Sequence, residues 1–168
     1  MMKKRRIVIT GLGVVSPVGS TTEKFWNSLK AGKSGISRIT HFDPSQFDCQ
    51  ICGRVTDFNP LDHFPAKEAR HLAPFIQYAV VASREAVAMA KLDLKSIDLD
   101  RMGVLIGSGI GSLDTLEAEY QKLLDKGPSK LSPFFIPKMI INEAAGHVSI
   151  DTGARGMASC VATACATA

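Results

Sequence analysis

At 168 residues, with 45% hydrophobic and 21% charged side chains, the chain has the size and balance of one globular domain with a true core, which excludes disordered and fibrous classes. A net charge of +4 with only 7% aromatic residues leaves scattered lysines rather than a basic face with interleaved rings, so an acidic partner is expected and a nucleic acid is not. No window of about 18 apolar residues argues for a membrane span. The basic start Lys3-Lys4-Arg5-Arg6 precedes an apolar stretch that Gly11 and Gly13 cut short, so the expected location is cytoplasmic.

Lys4 to Thr10 is a β-branched run that predicts a strand entering a tight turn at Gly11-Leu12-Gly13. A dinucleotide fingerprint would need a third glycine where Ser16 stands, so a structural turn is the better account. Ser20 and Glu23 have capping-box spacing ahead of a short helix carrying Phe25, Trp26 and Leu29 and ending near Gly32. From Ser34 to Pro65 the chain reads as irregular, with one short strand around Cys52 to Val55. Cys49-Gln50-Ile51-Cys52 has metal-ligand spacing, but the remaining cysteines, Cys160 and Cys165, lie far downstream, so two thiols on an edge strand are expected and no metal.

From Pro74, a stripe of Phe75, Ile76, Ala79, Val80, Ala86, Val87 and Ala90 predicts a helix packed on the strand Met102 to Gly107, which reads as buried on both faces. A helix over Ser112 to Lys126 closes at Gly127-Pro128. Between them, Gly107-Ser108-Gly109-Ile110-Gly111-Ser112 fits a phosphate cradle, a close approach of backbone to a bound chain with Ile110 as a lid, or a plain turn, and lacks the lysine of a P-loop. Leu131 to Pro137 sets Phe134 and Phe135 between prolines, too stiff for a helix interior and apolar enough to want a partner surface. A further helical stripe of Met139, Ile140, Ala144 and Val148 ends near Gly153, before a final strand. Strands alternating with helices indicate an α/β layered fold with a mixed, mostly parallel sheet, and no repeat or domain boundary is evident over 1–168.

The final strand delivers Cys165, flanked by Ala164 and Ala166, to the expected start of a helix, whose positive end favours a thiolate. Cys165 is therefore the candidate nucleophile, and Cys160, mid-strand, its inert counterpart. The histidines at 41, 63, 71 and 147 lie in contexts that supply it no obvious base.

Val8-Ile9-Thr10-Gly11-Leu12-Gly13, Ser16-Pro17-Val18-Gly19, Lys33-Ser34-Gly35-Ile36, Asp57-Phe58-Asn59-Pro60, Phe75-Ile76-Gln77-Tyr78, Gly107-Ser108-Gly109-Ile110-Gly111, Ser132-Pro133-Phe134-Phe135 and Thr163-Ala164-Cys165-Ala166-Thr167, in this order, closely resemble the β-ketoacyl-acyl carrier protein synthases, type II subclass. The resemblance implies a thiolase-like fold of two similar five-stranded halves, of which the chain covers the first half plus the nucleophile. It implies acyl transfer from acyl carrier protein to Cys165, then elongation by decarboxylative condensation with malonyl-acyl carrier protein. By the same resemblance Ile110, Phe135 and Ala164 line the acyl pocket, with Phe135 reaching it across a homodimer interface, and Lys67 and Arg70 face the carrier protein, His71 standing where a second cation is common. The phosphopantetheine travels with the carrier, so no resident cofactor is implied. The family's two catalytic histidines and its lysine have no counterpart here, and His147 matches a structural position. The 168 residues alone are thus expected to be unable to decarboxylate malonyl thioester, and to fold only with a complementary segment. The other readings are a noncatalytic thiolase-fold subunit that shapes a partner's acyl tunnel, and a small metal-binding module on Cys49 and Cys52.

Overall fold

A computed structural model describes residues 5–167, so Lys3 and Lys4 of the basic start lie outside the described residues. The chain forms two compact units that interleave along the sequence: residues through Phe58 together with Ala82–Leu92, and Asn59–Val81 together with residues from Asp93 onward. Because each unit draws on two separate stretches, no single linker marks a boundary.

In the first unit, helix α1 (Thr22–Lys30) is capped by Thr21, whose hydroxyl accepts the Lys24 N–H at 3.2 Å, one residue later than the spacing predicts. Ser20 instead donates its hydroxyl to Asp57. That bond, helped by Lys24 at 3.5 Å, holds the Asp57 carboxyl below the usual aspartate range against a smaller opposing cost of burial. Strands β1 (Ile36–Arg38) and β2 (Ile51–Gly53) pair antiparallel with Ser37 opposite Cys52. The expected strand at Cys52 to Val55 thus lies slightly earlier, and its partner, three residues long, is too short to announce itself by alternation.

The strand expected at Lys4 to Thr10 does not form among the described residues: Ile7 and Ile9 are 93% and 84% exposed and join no ladder. β-branched composition favours extension, but a strand exists only where another backbone pairs with it. Nor is Gly11-Leu12-Gly13 a tight turn. A Cβ on Gly13 would lie 1.8 Å from the Ala82 carbonyl oxygen, and one on Gly11 2.0 Å from that of Ala86, so both glycines permit the chain to lie directly on the later part of helix α3 (Pro74–Met89). Glu85 of that helix then accepts the N–H groups of Val14 at 2.9 Å and Thr22 at 2.7 Å, satisfying backbone donors that lack a ladder.

The second unit holds the core. Phe64, Leu72, Ile76, Val80, Val104 and Val148 are buried, Ile76 completely. Helix α2 (Ala66–Ala69) is tied down by the buried Gln77 of α3, whose amide donates to the Ala69 and Leu72 carbonyls at 3.0 Å each. After β3 (Val104–Leu105) come α4 (Leu113–Lys126), α5 (Phe135–Met139), α6 (Glu143–Thr152) and β4 (Ala158–Ser159), which pairs parallel with β3. Such a parallel pair needs a long crossover, here the three helices. Helix α6 packs on the pair, and its Ala144, Ala145 and Val148 are buried. The expected packing of α3 on a doubly buried strand is corrected accordingly: Val104 is buried by α6's side while Leu105 is 61% exposed, because no helix among the described residues covers its face. Pro137 sits at the third position of α5, where the missing N–H costs no helical bond, so the phenylalanine segment opens a helix contrary to expectation. The ladders among the described residues are these two short pairs.

Gly13→Ala places a Cβ against the rigid α3 backbone and is expected to cost about 2 kcal/mol of stability in urea unfolding, in the range of overpacked sites. Gly146→Ala, mid-helix with open space around it, is expected to stabilise by about 0.5 kcal/mol in the same assay.

Candidate active site

The site is built by the backbone that follows β3 and β4. Pairing continues past the two strands, the Ile106 N–H donating to Ser159 at 3.2 Å and the Ser108 N–H to Val161 at 3.3 Å, so both chains leave the sheet together. At its start this register is set where Gly156 meets Met102: the Gly156 N–H donates to the Met102 carbonyl at 3.0 Å, and a Cβ there would lie 2.6 Å from that oxygen.

Beyond the ladder the glycine-rich turn presses on the cysteine turn. A Cβ on Gly107 would fall 2.4 Å from the Thr167 Cγ2 and 2.9 Å from its carbonyl oxygen, and one on Gly109 3.3 Å from the Ala164 oxygen. The glycines of this loop thus serve an approach to the chain's own backbone, which none of the three readings anticipates. Ile110, 62% exposed, stands between Gly109 and Gly111, and Gly111 abuts the Met139 carbonyl at the end of α5. Gly109 thus meets the cysteine turn on one side of Ile110 and Gly111 meets the end of α5 on the other, and Phe135, half-buried, is the first residue of α5.

The helix expected at Cys165 is, among the described residues, a three-residue 3-10 turn, Ala164–Ala166. What the turn does is shape. Ala164 has φ of +49°, a left-handed conformation that costs a residue with a Cβ and swings the next side chain outward. The Thr167 hydroxyl braces it, accepting the Thr163 N–H at 2.9 Å and donating to the Ala164 carbonyl at 2.7 Å. Cys165 is left exposed, and its N–H makes no hydrogen bond among the described residues, so sulfur and donor are both open to an incoming carbonyl. Cys160, half-buried, makes only a weak contact to the Val161 carbonyl at 3.4 Å.

Lys67 and Arg70 are exposed at α2. Their neighbourhood is joined to α5, since Lys138 Nζ donates to the Arg70 carbonyl at 3.2 Å and the His71 ring stacks on Phe134 with centroids 3.8 Å apart. His147 lies along α6, 3.8 Å from Glu143. Cys49 is exposed and its thiol donates to the Ile51 carbonyl at 3.5 Å, whereas Cys52 is half-buried in β2, and both are free thiols. Among the described residues no group of three or more histidine, cysteine or acidic side chains converges as a metal site, and no helix is long and apolar enough to cross a membrane. A separate cleft of about 440 Å³ in the first unit is lined by Pro17, Lys24, Asn27, Lys33 and Asp57 among others, and by none of the residues named for the acyl pocket.

Two residues were missed in the sequence. Thr167 carried a signal, a hydroxyl four residues after Thr163 at a turn; Glu119, described below, carried none, because its partner is thirteen residues away in a loop.

The exposed Cys165 thus stands on a turn that follows a short parallel strand pair in an α/β chain. The model of the β-ketoacyl synthase N-terminal domain matches residues 4–168, and the chain belongs to that family. It is 46% identical over 167 residues to 3-oxoacyl-[acyl-carrier-protein] synthase 2 of Staphylococcus aureus (strain COL), covering 99% of this chain and 40% of that protein. Its identity to the protein of the same name from Synechocystis sp. is 46% over 165 residues, covering 98% of this chain and 40% of that one. Among solved structures, the ishigamide ketosynthase/chain length factor superposes with a TM-score of 0.82 at 28% identity, over 96% of this chain and 40% of that one. The chain thus has the thiolase-like α/β fold of the ketosynthases and spans about 40% of the length of the curated relatives it matches.

Thr167→Val, which keeps shape and deletes both bonds of the hydroxyl, is expected to slow thioester acylation of Cys165 roughly tenfold, as small misplacements of a nucleophile do. Thr167→Ser is expected to react like the parent. Time-resolved intact-mass measurement of the adduct checks both.

Proposed function

We propose that this chain carries the acyl-transfer half of a condensing enzyme of fatty acid synthesis. The Cys165 thiolate attacks the thioester carbonyl of an acyl carrier protein-bound chain, the oxyanion is met by the Cys165 N–H, and collapse expels the phosphopantetheine thiolate, which takes up a proton. In the second step malonyl-acyl carrier protein loses carbon dioxide, the resulting enolate attacks the acyl-enzyme carbonyl, a carbon–carbon bond forms and the Cys165 thiolate departs. The groups that promote decarboxylation are assigned to the part of the relatives' length that lies outside these residues. The observation that carries the reading is the exposed Cys165 with its unengaged N–H on a braced turn, in a chain whose relatives are named 3-oxoacyl-[acyl-carrier-protein] synthases.

Ile110, Ala164 and Phe135 line the acyl pocket in this reading, Phe135 from across a homodimer. Lys67 and Arg70 meet the acidic carrier protein, beside a His71 ring stacked on Phe134. The prosthetic arm comes with the carrier, so the enzyme holds no cofactor of its own, and it works in the cytoplasm.

Incubation with an acyl-acyl carrier protein followed by peptide mapping is expected to place one acyl group on Cys165 and none on the Cys165→Ala variant. Adducts confined to Cys49 or Cys52 would contradict the assignment.

A further inference from the structure

Glu119 is the one buried carboxylate among the described residues, 8% exposed on α4. Its Oε2 accepts the Ser132 N–H at 2.8 Å, and Oε1 takes the Lys122 ammonium. Both contacts draw its carboxyl below the usual glutamate range, the Lys122 bond most, so it stays ionised at neutral pH. A buried carboxylate is costly unless fully bonded, and its bond to Ser132 goes to a loop that has no ladder of its own.

The bond reaches further than Ser132. The Ser132 hydroxyl accepts the Phe134 N–H at 3.2 Å, and the Ser132 carbonyl accepts that of Phe135 at 3.0 Å, so the loop between Glu119 and the first residue of α5 is one short chain of bonds. Helix α5 has no side-chain cap of its own. At its far end the Met139 carbonyl accepts the Ser112 N–H at 3.4 Å and abuts Gly111, next to Ile110. Helix α5 is therefore pinned at both ends, and Glu119 is the anchor of the end that bears Phe135.

We propose that Glu119 is a positioning residue that sets where Phe135 stands and thereby, across the homodimer of that reading, which acyl chain lengths the partner subunit's Cys165 accepts. The proposal rests on the reading of Phe135 as an acyl-pocket residue. Glu119 touches no substrate; removing it lets the Ser132–Phe135 segment shift, which alters the depth of the pocket and leaves the cysteine turn intact.

The test compares the full-length protein with its Glu119→Ala and Glu119→Gln variants in two measurements. In competition between a short and a long acyl thioester, Glu119→Ala is expected to change the ratio of the two Cys165 adducts about tenfold with the short-chain limiting rate kept, a displacement effect of the usual size. Glu119→Gln, which keeps an acceptor for the Ser132 N–H, is expected to retain the parent ratio. In hydrogen exchange, the amides of Ser132, Phe134 and Phe135 are expected to lose protection in Glu119→Ala alone. An unchanged adduct ratio, or unchanged protection, overturns the proposal. Should Cys165 of the parent take no acyl group at all, the functional reading has failed, and the exchange result alone then decides whether Glu119 positions the segment.

Discussion

The site depends on two turns being allowed to touch at the backbone. Gly107 and Gly109 remove the side chains that would hold Ala164 and Thr167 away, and the paired chains leaving β3 and β4 arrive at that contact in register. With one turn supported from behind, the strained Ala164 conformation persists and Cys165 is carried outward. Neighbouring features follow from the same contact. Ile110 is fixed because its flanking glycines are fixed, and α5 is fixed because its last carbonyl meets Gly111.

Both units solve one recurring problem, backbone donors in irregular chain, with a helix-borne carboxylate. Glu85 collects the Val14 and Thr22 N–H groups in the first unit, and Glu119 collects that of Ser132 in the second. An ionised acceptor makes a stronger bond than a neutral one, so a single side chain can hold a loop that has no strand to pair with. The loops they hold are the long apolar-to-polar stretches that local propensity describes least well.

Much of this was legible in the sequence where a signal was local. The 3.6-residue stripe after Pro74 and the helix closing at Gly127 stand as read, the first as Pro74–Met89 and the second as Leu113–Lys126. The errors share a cause: they are statements about partners. Ile7-Val8-Ile9 reads as a strand but pairs with nothing described, and Leu105 reads as doubly buried but has one open face. Gly11 and Gly13 read as a turn because a close approach to Ala82 and Ala86, some seventy residues on, leaves no local trace. Cys165, Ile110 and Ala164 are proposed from motif, whereas Thr167 and Glu119 act through bonds that only the folded chain displays.

In the proposed function, backbone contact behind the cysteine turn, rather than exposure alone, sets Cys165 apart from the exposed Cys49. The most direct measurement is the rate of thioester acylation at Cys165 in Gly107→Ala, with alkylation of the exposed Cys49 as the reference in the same sample. The account predicts that the added methyl, meeting Thr167, slows Cys165 at least about tenfold and leaves Cys49 unchanged. Equal Cys165 rates in a folded Gly107→Ala protein would contradict it.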